Sequence, residues 1–317
     1  MRRMIIDTDT GSDDAIALIM ALKSPDIKIE AITVLSGNVS LEKVLANALM
    51  TIEVVNRDVP PVYVGAYTPI IRTKVHAADV HGEDGMGDRG IIHPTLKPQE
   101  GHAVEKIIEI IRDNPGEIEL VVLGPATNVA LAIMKDPKTM KHVKHIWSMG
   151  TGGFGWGNIT PVAEFNVYAD PEAFDIMLRS GIPTTIVGFD LCKTSTSFSA
   201  EDLDGLRAHG NPESIFAVES SSTRVSYNKE KLGEAIADLP DPITMGVILW
   251  PDIVEEMVPC HAHTCVNDPV VYGQVVMLEE SVLKEVEEYA GLPINANVCR
   301  SINEPLFKQK TLDIIKA

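Results

Sequence analysis

Ile5-Ile6-Asp7-Thr8-Asp9-Thr10-Gly11-Ser12-Asp13-Asp14-Ala15 decides how the chain reads, because four carboxylates crowd into eight residues between two apolar runs. Residues 4–6 predict a short buried strand and residues 15–22 (AIALIMAL) a helix, which places the acids in a strand-to-helix turn. In an α/β protein such a turn lies at the carboxyl edge of the sheet, where sites are built. Ser12 or Asp13 as helix cap, with Asp13 and Asp14 complementing the helix dipole, accounts for one or two acids but not four. A hard divalent cation held by oxygen ligands would offset the mutual repulsion of the whole set. Two familiar patterns fit poorly. Counted from Asp7, the twelfth position of an EF-hand loop is Leu18 rather than a bidentate Glu. A phosphatase of the haloacid dehalogenase type wants Thr or Val where Gly11 stands, and no suitable second acidic pair follows.

Outward from that turn, strand-like runs at 29–35, 61–64, 117–123, 143–149 and 184–187 alternate with helical stretches at 41–55, 102–112, 128–134 and 171–179. This alternation predicts right-handed βαβ units and a mostly parallel sheet, closed by a C-terminal helix over 304–315. The expected fold is one α/β domain spanning 1–317, a Rossmann-like central sheet flanked by helices. The glycine-rich stretch 150–157 lacks the Lys-Ser/Thr of a phosphate loop and reads as a flexible loop over the site, with Trp156 available to stack on a base. The polar helical segment 197–231 is expected to form a movable flap.

Hydrophobic content of 45% suits a globular enzyme whose core needs no disulfides. A formal charge of −18 argues against a nucleic-acid partner and is silent about a small neutral ligand. The absence of a long apolar run argues against a membrane span. Met1-Arg2-Arg3 and one short strand do not make a signal peptide, so the cytoplasm is the expected location. Cys260, His261, His263 and Cys265 raise the question of zinc, but their spacing matches no finger pattern. On a strand, Cys260 would face away from the other three.

The motifs together resemble the nucleoside hydrolase family of the inosine/uridine-preferring type. Its N-terminal signature is similar to Asp7 to Ala15. Further likenesses follow in order: Leu35-Ser36-Gly37-Asn38, His81-Gly82-Glu83-Asp84-Gly85, Gly124-Pro125-Ala126-Thr127-Asn128, and Gly157-Asn158 with Ala163-Glu164-Phe165-Asn166 and Asp170-Pro171-Glu172-Ala173. The resemblance implies hydrolysis of an N-ribosidic bond in nucleoside salvage, with Ca²⁺ as cofactor and a nucleoside or other small riboside as substrate. It implies Asp9, Asp14, Asp241 and the Leu123 backbone carbonyl as metal ligands, with Asp9 also taking a proton from the attacking water. Asp13, Asn38, Asn158, Glu164 and Asn166 would hold ribose hydroxyls, Met149 would pack beneath the sugar, and His81 would face the base. Asp7 would order the loop from behind. Family members are usually dimers or tetramers, so a homo-oligomer is expected.

One departure stands out. The family commonly carries a histidine just before its late metal aspartate, as proton donor to the leaving base. Here that stretch is Asp238-Leu239-Pro240-Asp241-Pro242, and proline has no proton to give. His81, Arg224 and Tyr227 are the alternatives, Arg224 through hydrogen bonding alone. A substrate whose leaving group needs little help is a second solution, and a riboside-binding protein with little turnover a third.

Overall fold

The computed structural model describes residues 1–317. Its strands are β1 (Arg2–Thr8), β2 (Ile27–Val34), β3 (Val62–Val64), β4 (Ile118–Val122), β5 (His145–Met149), β6 (Thr184–Val187), β7 (Val254–Thr264), β8 (Val275–Glu279) and β9 (Ala296–Ile302). All nine form one sheet in the order β3-β2-β1-β4-β5-β6-β9-β7-β8. β1 to β6 and β9 run parallel, while β7 is antiparallel to both β9 and β8. The expected mostly parallel α/β sheet is therefore present, and the anticipated strands and helices shift at their ends by one to three residues, the most at the first helix, which begins at Ser12 rather than at 15. β8 and β9 were not legible, because β9 inserts between β6 and β7 through pairings distant in sequence.

The two faces of the sheet carry separate cores. Met4 and Ile6 pack on one side with Val121 and Leu123, while Ile5 packs on the other with Leu120 and Val122. This is the period-two alternation of a strand buried on both faces. Helix Ser12–Lys23 is buried along its whole length, as the apolar run from Ala15 to Leu22 demands; its polar ends, Ser12 to Asp14 and Lys23, are buried with partners or at the site. Helices Leu41–Val55, Pro212–Ser220, Pro240–Leu249 and Glu304–Lys316 pack around it.

The 197–231 segment differs from the expected flap. It folds into helices Ala200–His209, Pro212–Ser220 and Ser222–Leu232, and Phe216, Ala217 and Val218 join the main core. The buried Lys23 ammonium ties Glu213 (3.1 Å) to the carbonyl of Ile315 (2.9 Å). On β7, Cys260 is buried with Val258 and Ala262, whereas His261 and His263 occupy the opposite, more open face. Their ligand atoms form no metal-sized group; Asp13, Asp14 and Asp241 do.

Glu119 on β4 illustrates how a central strand tolerates a charge. Its carboxylate accepts bonds from Arg2 Nε (3.1 Å), Trp147 Nε1 (2.8 Å) and Lys144 Nζ (3.0 Å). Burial pushes its pKa up, but these donors outweigh burial and bring it down to about 2 from 4.5. The resulting stability is complete above the unfolded-state value and fades as pH falls from 4.5 towards 2. Glu119→Gln is expected to cost about 1–3 kcal/mol near neutrality. Urea midpoints of the two proteins should converge as the pH is lowered through that window, and a gap independent of pH would refute the assignment.

Candidate active site

The strand order reverses between β1 and β4, which lie side by side although β2 follows β1 on its other edge. Ligands of doubly wound sheets bind outside the carboxyl ends at such a switch point. Here the loop after β1 brings Asp9, Asp13 and Asp14, and the end of β4 brings Leu123 and Gly124. A cleft of about 160 Å³ opens there, lined among others by Asp13, Asn38, His81, Leu123, Met149, Asn158, Glu164, Asn166 and Asp241. Asp9 and Asp14 lie beneath it, fully buried.

Asp14 accepts from Thr8 Oγ1 (2.6 Å), the Gly11 amide (2.9 Å) and Asn38 Nδ2 (3.1 Å). Asp9 Oδ2 accepts from the Asn38 amide at 2.7 Å, while Asp9 Oδ1 is buried with no donor. Asp241 enters from the first turn of helix Pro240–Leu249, and its Oδ1 is likewise buried without a partner. One ligand oxygen from each of Asp13, Asp14 and Asp241 lies within 4.8 Å of the others. Burial, with the neighbouring carboxylates adding to it, raises the pKa of Asp9 and Asp241 well above the usual range and pushes Asp14 up to about 7. Orphaned buried acceptors are costly and call for an explanation. Their chemistry, all hard oxygen, fits a divalent cation.

The sugar-type residues have defined local duties. Glu164 caps helix Phe165–Ala169, accepting from the amides of Asn166 (2.8 Å), Val167 (3.3 Å) and Thr151 (3.0 Å). Burial outweighs these bonds and carries its pKa up to about 7. Asn158 Oδ1 accepts from the Phe165 amide (2.8 Å), which leaves its NH₂ free for the cleft. Asn166 Nδ2 donates to the Leu123 carbonyl (2.8 Å) and touches Met149 Sδ (3.3 Å). Asp7 stays out of the cleft, accepting from Thr33 Oγ1 (2.5 Å) and Asn128 Nδ2 (2.8 Å) and so joining β1 to its neighbours.

His81 lines the cleft but is wedged between the Ser12 amide, which donates to Nδ1 (3.2 Å), and Arg224 Nη2 (3.1 Å from Nε2). Burial and then the guanidinium hold its pKa well below the ordinary histidine value. Pro240 also lines the cleft, with no donor to offer. Trp156 is 79% exposed and lies outside the cleft lining. Sequence reading passed over His76, Asp79, Phe189, Asn228 and Asp238, which also line the cleft. Asn228 was within reach of helical periodicity, since it stands one turn after Arg224.

An acid-floored cleft with amide and carboxylate walls, at the switch point of this sheet, is the architecture of a nucleoside hydrolase. A purine-preferring ribonucleoside hydrolase from Gardnerella vaginalis superposes with a TM-score of 0.90 at 26% identity, covering 99% of this chain and 98% of that one. The plant nucleoside hydrolase PpNRh1 gives 0.86 at 29% identity, with the same coverage. The pyrimidine-specific ribonucleoside hydrolase RihA of Salmonella agona (strain SL483) is 41% identical over 251 residues, 79% of this chain and 80% of its own. The model of the inosine-uridine preferring nucleoside hydrolase family matches residues 4–309. The chain belongs to that family and is an N-glycosyl hydrolase.

Proposed function

We propose that this enzyme hydrolyses the N-glycosidic bond of ribonucleosides with Ca²⁺ held by Asp9, Asp14, Asp241 and the Leu123 carbonyl. What supports this assignment is the metal-sized grouping of Asp14 and Asp241 with Asp13, together with the unpartnered buried oxygens of Asp9 and Asp241, at a cleft walled by hydroxyl-binding side chains. The Leu123 carbonyl has a second lone pair beyond the one that Asn166 uses. When bound, a divalent cation acidifies a water and polarises the sugar hydroxyls. Asp9 Oδ1, buried without a donor, is the acceptor available for a proton from the attacking water. Asp13, Asn38, Asn158, Glu164 and Asn166 bind the ribose hydroxyls and hold the sugar in place as the oxocarbenium-like transition state forms. Met149 packs beneath the sugar, and His81 borders the base.

Departure of the base is the step least provided for. Pro240 cannot donate, Arg224 stays protonated, and His81 is held neutral. Tyr227 lines the cleft and keeps an uncommitted phenol. A riboside whose leaving group needs little protonation suits this cleft best, with Tyr227 the one side chain left to assist the base. The RihA relatives are named pyrimidine-specific, which makes pyrimidine ribonucleosides the first to test. We place the activity in nucleoside salvage, in the cytoplasm, and in a homo-oligomer of two or four subunits; no helix is long and apolar enough to cross a membrane.

Ribose release measured with Ca²⁺ across uridine, cytidine, inosine and 4-nitrophenyl riboside tests this directly. The nitrophenyl compound departs without a proton and should be cleaved fastest; failure to cleave any riboside would end the proposal. Pro240→His is expected to raise nucleoside hydrolysis by about 10²-fold while leaving the nitrophenyl compound nearly unaffected. An equal effect on both substrates would show that the missing donor is not what limits turnover.

A further inference from the structure

Arg224 is the only arginine or lysine lining the cleft, and it is 4% exposed. Its Nη2 donates to Asp13 Oδ1 at 2.6 Å. Nη1 donates to Asp238 Oδ2 at 2.9 Å and to the Asp238 carbonyl at 3.3 Å, and Nε donates to Ser12 Oγ at 3.3 Å. Asn228, one turn along the same helix face, holds the other Asp238 oxygen at 2.6 Å and the Ile236 carbonyl at 3.1 Å. Two residues after Asp238, the helix carrying Asp241 begins. One guanidinium thus joins the loop after β1 to the turn that delivers the last carboxylate.

The partners of the four acids differ in kind. Asp9 and Asp14 are bonded by amides and a hydroxyl, and Asp241 Oδ1 has no partner; Asp13 alone faces a cation. By distance, Asp13 is as well placed as Asp14 to grip a metal together with Asp241. We propose that Arg224 is a positioning residue that divides the four carboxylates by function. It neutralises Asp13 and aims it at the ligand's hydroxyls, and it leaves Asp9, Asp14 and Asp241 as the uncompensated set for a divalent cation. A lysine, a single point charge, cannot span both partners as the planar guanidinium does. This inference rests on the ribonucleoside-hydrolase function proposed above.

Arg224→Gln and Arg224→Lys test it, with calorimetry of Ca²⁺ alone, kinetics on 4-nitrophenyl riboside, and thermal midpoints. In the glutamine variant KM should rise roughly tenfold or more, with a smaller change in kcat. Its Ca²⁺ affinity should stay equal or tighten, because Asp13 then adds an uncompensated charge. The lysine variant should restore part of the KM. This opposition in sign is what mere loss of structure would not produce. Weakened Ca²⁺ binding alongside the raised KM, or an unchanged KM, would overturn the proposal. Should the glutamine variant not fold, the lysine variant decides: a raised KM with Ca²⁺ binding kept supports the division, and an unchanged KM refutes it. If the unaltered enzyme cleaves no riboside, the hydrolase function fails, and the Ca²⁺ titrations of the variants still decide the charge division.

Discussion

Asp9→Ala is expected to lower kcat/KM for ribosides by about 10³-fold or more, and to weaken Ca²⁺ binding by roughly 10–100-fold. Asp9 Oδ2 is committed to the Asn38 amide, and Oδ1 is buried with no donor of its own. Burial and the charge of Asp14 make its ionised form unfavourable in the absence of a cation. Removing it therefore relieves repulsion, and the thermal midpoint without Ca²⁺ should stay level or rise. The midpoint gained on adding Ca²⁺ should shrink, since less binding energy is linked to folding. Calorimetry that found the Ca²⁺ affinity of the variant unchanged would sink the metal assignment of Asp9.

Gly37→Ala should damage the same machinery without removing a polar group. A β-carbon at Gly37 would lie 2.0 Å from Asp9 Oδ2 and 2.7 Å from Asp9 Cβ. Asp9 has no room to retreat, because Gly124 closes on the other side: a β-carbon there would sit 2.5 Å from Asp9 Oδ1. The backbone at Gly37 is not left-handed, so the effect is steric rather than conformational. Displacing a reacting carboxylate by an ångström costs about 10²-fold, and turnover should fall by at least that much. Activity within a few-fold of the parent would mean that the loop after β2 yields and that Asp9 is not clamped.

The acid turn and the βαβ rhythm were legible in the sequence because each is local, and most cleft residues were legible through the family resemblance of short motifs. Apolar runs of strand and helix length flank Asp7 to Asp14, and the sugar-type residues sit in compact motifs such as Ala163-Glu164-Phe165-Asn166. The C-terminal strands were not legible, since β9 slots between β6 and β7 through backbone pairing that no local pattern encodes. The 197–231 segment misled for a related reason. Its overall polarity suggested a flap, yet Phe216, Ala217 and Val218 carry it into the core.

By itself, then, the sequence determined that four acids meet at a strand-to-helix turn in an α/β protein and that proline stands before Asp241. Which acid has a cation partner, and which two glycines close on Asp9, only the tertiary structure decided. Arg224 lies 211 residues from Asp13, and the two meet because helix Ser222–Leu232 packs over the mouth of the β1 loop. Burial then gives that pairing its weight: in water the same ion pair would contribute little, whereas in the floor of the cleft it sets the role of each carboxylate.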